Sequence, residues 1–115
     1  MKIHRPRKNT QVNRLRALLL NINDGIIVTA QDFGISQKEM NSYFDAFVKN
    51  GLISLFDSDK PYVSTSYTIT DIDKYNKIVN NIYLYIEKFI VPIISSILGV
   101  LPEVATSIKS SRLGN

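Results

Sequence analysis

The chain has 115 residues, no cysteine and one histidine, with 44% apolar and 21% charged residues. That composition fits one folded domain with a real core. It excludes a disulfide scaffold, a thiol nucleophile, a cysteine zinc site and histidine-based triads or metal cages.

The formal charge of +4 is unevenly spread. Residues 1–16 carry Lys2, Arg5, Arg7, Lys8, Arg14 and Arg16 and no acid, whereas the remaining 99 residues carry eight basic and ten acidic groups. A cationic leader of this kind is the electrostatic footprint of a polyanion partner, either a nucleic acid or an anionic membrane; a solvated tail is the plainer reading. No apolar stretch with a small-residue cleavage site follows the basic start, so a cytoplasmic location is expected.

Residues 1–10 lack periodicity and contain Pro6, which predicts a flexible basic arm. Thr10 is placed to cap a helix over 11–22. Val12, Leu15, Leu18, Leu19 and Ile22 form its apolar stripe, with Asn13, Arg14, Arg16 and Asn21 on the other side. Asn23-Asp24-Gly25 supplies a turn, and the β-branched run Ile26-Ile27-Val28 predicts a three-residue strand. Thr29 and Asp32 form a capping box for a short helix over 30–33, ended by Gly34. Ser36 and Glu39 form a second box, opening a helix that runs to about Asn50. Met40, Phe44, Phe47 and Val48 are its expected core stripe, and Gly51 closes it. Strands over 53–57 and 66–70 flank the polar stretch SDKPYVST, giving a β-hairpin with a long tip.

Thr70 is the expected cap of the next helix, with Asp71 and Asp73 in its first turn. Tyr75, Val79, Ile82, Ile86, Phe89 and Ile93 then recur at spacings of 4 and 3, an a/d seam. A second apolar set, Ile78, Tyr85, Ile90, Ile94 and Ile97, runs beside it. A helix apolar on two faces needs two partners, so a homodimer through residues 71–105 is expected. Pro92 kinks or breaks this helix, and residues 106–115 read as a frayed tail. The uncharged run 89–101 has 13 residues, against the roughly 20 that span a bilayer; an amphipathic surface anchor stays open as an alternative.

The element order predicts a mainly α fold with a small β-hairpin (α+β): a winged helix-turn-helix over 11–70 followed by a long C-terminal dimerisation helix. The stretch VTAQDFGISQKEMNSYFDAFVKNGLI, residues 28–53, resembles the core of winged-helix regulators of the MarR and PadR kind. The matching features are the cap at Thr29, the Gly-Ile-Ser turn at 34–36, the apolar Met40, Phe44 and Phe47, and the Gly-Leu-Ile ending at 51–53. The resemblance covers residues 11–72 at the level of pattern, and it implies a DNA-binding function. The chain departs from the pattern at the wing tip, which has Asp57 and Asp59 with only Lys60. It departs again in the helix after Ser36, whose cations are Lys38 and Lys49 with no arginine.

A helix of this kind fits the major groove of duplex DNA. Its outward face holds Gln37, Lys38, Asn41, Ser42 and Asp45; Gln and Asn pair bidentately with adenine, and Lys reaches guanine or phosphate. Ordinary solvated positions on an amphipathic helix are the alternative. Thr29 and Ser36 sit at helix N-termini, where phosphates are favoured, although capping alone accounts for both. Arg5, Arg7 and Lys8 are candidates for minor-groove or phosphate contact, and Lys60 and Tyr62 for backbone contact at the wing. Tyr43 is expected in the core. A two-fold dimer would present two such helices to a palindromic site. The expected function is therefore a homodimeric regulator bound to double-stranded DNA. A plasmid or virus protein at a partition or replication site, a protein-interaction module and a membrane-surface protein are the alternatives. No cofactor, no metal and no catalytic constellation is expected.

Overall fold

The computed structural model describes residues 2–82. These form four α-helices, α1 (Gln11–Asp24), α2 (Ala30–Phe33), α3 (Gln37–Lys49) and α4 (Ile72–Asn80), and a two-stranded antiparallel sheet of β1 (Ile53–Leu55) and β2 (Tyr67–Ile69). The class is α+β, mainly helical. No helix among the described residues is long and apolar enough to cross a membrane.

Thr10 caps α1 by accepting from the Asn13 backbone N–H. Leu15, Leu18, Leu19 and Ile22 are buried as their spacing requires. Gly25 ends the helix at φ +66, and its N–H reaches the Asn21 and Ile22 carbonyls; an L side chain resists this left-handed conformation. The polar side of α1 differs from expectation. Asn21 is fully buried, donating to the His4 and Ala17 carbonyls and accepting from the His4 N–H at 2.9 Å. His4 Nε2 also lies 2.5 Å from Asp24 Oδ2, and Ile3 packs on the core. The basic leader, expected as a loose arm, thus lies fastened along α1. Periodicity assigns Asn21 to solvent because it does not register a second chain segment lying on that side.

No strand forms at 26–28. Ser64, in a single 3₁₀ turn (Ser64–Ser66), donates its hydroxyl to the Ile26 carbonyl at 2.6 Å and accepts from the Val28 N–H at 3.0 Å. One buried side chain supplies the donor and acceptor that a neighbouring strand would otherwise provide. Residues 26–28 join the cap of α1 to the cap of α2 without entering the sheet.

The Thr29–Asp32 box at α2 is complete, and Gly34 closes that helix at φ +68. The box at α3 is half formed: Ser36 accepts from the Glu39 N–H, but the Glu39 carboxylate turns to Arg14 and Tyr43. Met40, Tyr43, Phe44, Ala46 and Phe47 are buried. Val48, expected in the core, is 44% exposed.

The hairpin pairs Ile53 with Ile69, Ser54 with Thr68 and Leu55 with Tyr67. Its strands are shorter than expected because the Phe56 and Asp57 N–H groups share the Ser66 carbonyl, which ends the regular ladder. The cap of α4 is Asp71, accepting from Lys74 N–H; Thr70 instead donates its hydroxyl to the Gly51 carbonyl at 2.8 Å. Tyr75, Ile78, Val79 and Ile82 are buried in the same core as the α1 leucines. Asn81, at φ −153, closes α4, so the single long helix expected through the seam is interrupted within the described residues. Ile86, Phe89, Ile93, Pro92 and the 106–115 tail lie outside them.

Candidate nucleic-acid interface

Burial of one side of α3 dictates what its other side offers. Gln37 and Lys38 are exposed and Asn41 and Ser42 half-buried. Gln37 Nε2 donates to Asn41 Oδ1 at 2.7 Å, one turn along the helix. This bond uses one donor and one acceptor of the pair and leaves Gln37 Oε1 to accept and Asn41 Nδ2 to donate. Adenine presents the complement in the major groove, with a donor at N6 and an acceptor at N7. Ser42 returns its hydroxyl to the Lys38 carbonyl at 3.0 Å.

The hairpin is tied to this helix by Tyr62. Its phenol donates to Asp45 Oδ1 at 3.0 Å, and its N–H donates to the Tyr67 phenol oxygen at 3.0 Å. Tyr62 has φ +64, an uncommon conformation for an aromatic residue, held by these two bonds. The hydrogen bond to Asp45 raises the pKa of the phenol. The same bond keeps Asp45, the acidic member of the outward face, occupied by a neutral donor. Lys60 is exposed at the tip, next to Asp59.

Behind α3 lies a cluster that spacing did not reveal. Arg14 Nε donates to the Tyr43 phenol oxygen at 3.1 Å, Arg14 Nη2 lies 3.2 Å from Glu39 Oε2, and the Tyr43 hydroxyl donates to that same carboxylate oxygen. The trio fixes the start of α3 on α1. Burial, and then the hydrogen bond to Glu39, push the Tyr43 phenol up to about 12, against 10.0 unperturbed. The folded protein therefore keeps a proton that the unfolded chain loses between about pH 10 and about pH 12, and Tyr43 makes stability fall as pH rises through that window. In Tyr43→Phe this contribution is absent. Denaturant unfolding at mildly and strongly alkaline pH is expected to show a smaller pH-dependent loss in the variant; an equal loss would contradict the assignment.

The remaining candidates lie elsewhere. Thr29 is engaged with Asp32, whose carboxylate is held below the usual range by the Thr29 N–H first, then by the Thr29 hydroxyl and Arg5. Arg5 Nη1 donates to the Asp32 carbonyl at 3.0 Å. Arg7 and Lys8 are exposed and, with Arg5 and Arg16, line an open cleft of about 390 Å³. Asn13 and Arg16 place this cleft on the side of α1 turned away from its leucine stripe. The candidates are thus divided: Ser36, Gln37, Lys38, Asn41 and Ser42 belong to α3, with Tyr62 joined to that helix through Asp45; Arg5, Arg7 and Lys8 line the cleft; Thr29 caps α2; and Lys60 stands exposed at the hairpin tip. Of the expected seam, Tyr75, Val79 and Ile82 pack inside this chain's own core.

An apolar groove of about 270 Å³ runs between the C-terminal half of α3 and the hairpin, lined by Val48, Leu55, Pro61, Tyr62 and Tyr67 with Asp45 and Lys49 at its edge. Nearby in sequence, Phe56 is 66% exposed. Among the described residues no three His, Asp or Glu side chains gather to hold a metal ion. Comparison with known proteins gives no matching family model, curated protein or solved structure.

Proposed function

We propose that the chain is a double-stranded DNA-binding protein of winged helix-turn-helix design, with α2 and α3 as the helix-turn-helix, α3 as the reading helix and the β1–β2 hairpin as the wing. The observation that carries this reading is the outward Gln37–Asn41 pair, which retains an acceptor and a donor on a helix whose opposite face is buried. The resemblance of residues 28–53 to MarR- and PadR-type regulators points the same way. In this reading two copies act together on a palindromic site, as a transcriptional regulator or as a plasmid or virus protein at a partition or replication site.

Removing the pair separates reading from mere attraction. Gln37→Ala with Asn41→Ala is expected to cost about 1–3 kcal/mol of discrimination, the value of one bidentate base contact, with little loss of affinity for random duplex. Competition binding with specific and random duplexes measures this. Unchanged preference in the variant would remove α3 as the reader.

The apolar groove beside the hairpin favours a second reading, a protein-docking module. Leu55→Lys would then abolish partner capture while leaving duplex binding intact.

A further inference from the structure

We infer that the cleft between the N-terminal segment, α1 and the end of α4 is a phosphate-binding site that holds a nucleic-acid backbone on a surface separate from α3. The choice of nucleic acid as the source of phosphate rests on the DNA reading above; the site itself rests on its own geometry. Four cations, Arg5, Arg7, Lys8 and Arg16, line the cleft, and no acidic residue does. Asn80 and Asn81 add amide groups to the same lining, and Asn13, also lining it, donates its amide to the Lys8 carbonyl at 3.2 Å and so ties the leader to α1 there.

Two of the four guanidinium or ammonium groups are already positioned. Arg16 Nε donates to the Val79 carbonyl at 2.7 Å, which fixes the guanidinium between α1 and α4. Arg5 is held by the Asp32 carbonyl and carboxylate at 3.0 and 3.5 Å. Ordering these long side chains therefore costs little when an anion arrives. Arg7 and Lys8 are exposed at the rim and supply adjustable charge. The volume of about 390 Å³ admits a phosphate with its sugar. Beyond residue 16 the chain carries more acids than bases, and four of the six cations of residues 1–16 line this cleft, so the positive field is concentrated here.

The test uses the full chain and a fluorescein-labelled duplex of random sequence, titrated by anisotropy over a salt series. Each phosphate contact contributes about −0.9 to the slope of log K against log salt, so Arg7→Gln with Lys8→Gln is expected to flatten the slope by about 1.8. Both residues are exposed, and an unchanged melting temperature shows that the variant folds. In ¹⁵N-resolved NMR the side-chain amide signals of Asn13, Asn80 and Asn81 are expected to shift on adding the duplex, and to shift less in the variant.

An unchanged slope, or amides that neither the duplex nor inorganic phosphate moves, would overturn the cleft even if sequence preference persists. The converse outcome, a flattened slope with no sequence preference in the parent protein, would keep the cleft and sink the reading role of α3. Tighter binding to vesicles containing anionic lipid than to duplex would overturn the nucleic-acid assignment. So would inorganic phosphate shifting the same amides to saturation when the duplex leaves them in place.

Discussion

Phe44→Ala is expected to destabilise the protein by about 3–5 kcal/mol, the usual cost of emptying a fully buried phenylalanine site. Phe44 has no exposed surface, stacks on Tyr67 at 4.6 Å between ring centroids and meets Tyr62 edge-on at 6.2 Å. It is therefore the apolar contact through which α3 holds both the strand β2 and the hairpin tip, beside the Tyr62–Asp45 hydrogen bond. The cavity cannot close by a local shift, because α3 is also pinned on its other flank by Arg14, Glu39 and Tyr43. Small domains have about 5–15 kcal/mol of stability in all, so this single change removes a large part of it and lowers the melting temperature by on the order of 20 °C. Urea denaturation followed by circular dichroism measures the effect. A loss below about 1 kcal/mol would show that the hairpin is not held through this ring.

Ser64→Ala is expected to cost about 1–3 kcal/mol, although it removes only one oxygen atom. That hydroxyl satisfies the Ile26 carbonyl and the Val28 N–H at once, and Ser64, Ile26 and Val28 are all buried. Alanine leaves both backbone groups in a site that water does not easily reach, so the penalty is that of unmade hydrogen bonds and not of lost packing. Ser58→Ala, an exposed serine in the same hairpin, is the control and is expected to change stability by less than about 0.5 kcal/mol. Equal effects of the two substitutions would contradict the proposed clasp.

The helices were legible in the sequence where local chemistry decides. Thr10, Thr29 and Ser36 announce three helix starts, and the leucine stripe of α1 and the aromatic stripe of α3 announce their buried faces. What was not legible depends on contacts distant in the chain. The strand expected at 26–28 is displaced by a serine 36 residues further on. Asn21 leaves the polar face because His4 lies across it. Glu39 leaves its capping box because Arg14 and the Tyr43 hydroxyl offer a stronger, charge-assisted partner. The cap of α4 moves from Thr70 to Asp71 because Thr70 finds the Gly51 carbonyl across the hairpin.

The candidate site divides in the same way. Gln37 and Asn41, one helical turn apart, are a local feature that spacing predicts, including their position on the outward face. The cleft is not local: Arg5, Arg7 and Lys8 meet Arg16 and the end of α4 only once the leader lies along α1. Charge counting identified all four cations but not the place where they converge, nor the asparagines that join them. Tyr62, a candidate for backbone contact at the wing, donates its hydroxyl to Asp45 and so ties the hairpin to α3, a bond that spacing does not show.

Selection from a pool of random duplexes with the purified full chain tests the central claim most directly. The account predicts enrichment of a defined sequence with two inverted half-sites about one helical turn apart, centred on adenine-containing steps, and loss of that enrichment in Gln37→Ala with Asn41→Ala. A pool that stays random after repeated rounds, or an identical enriched sequence in the variant, would contradict it.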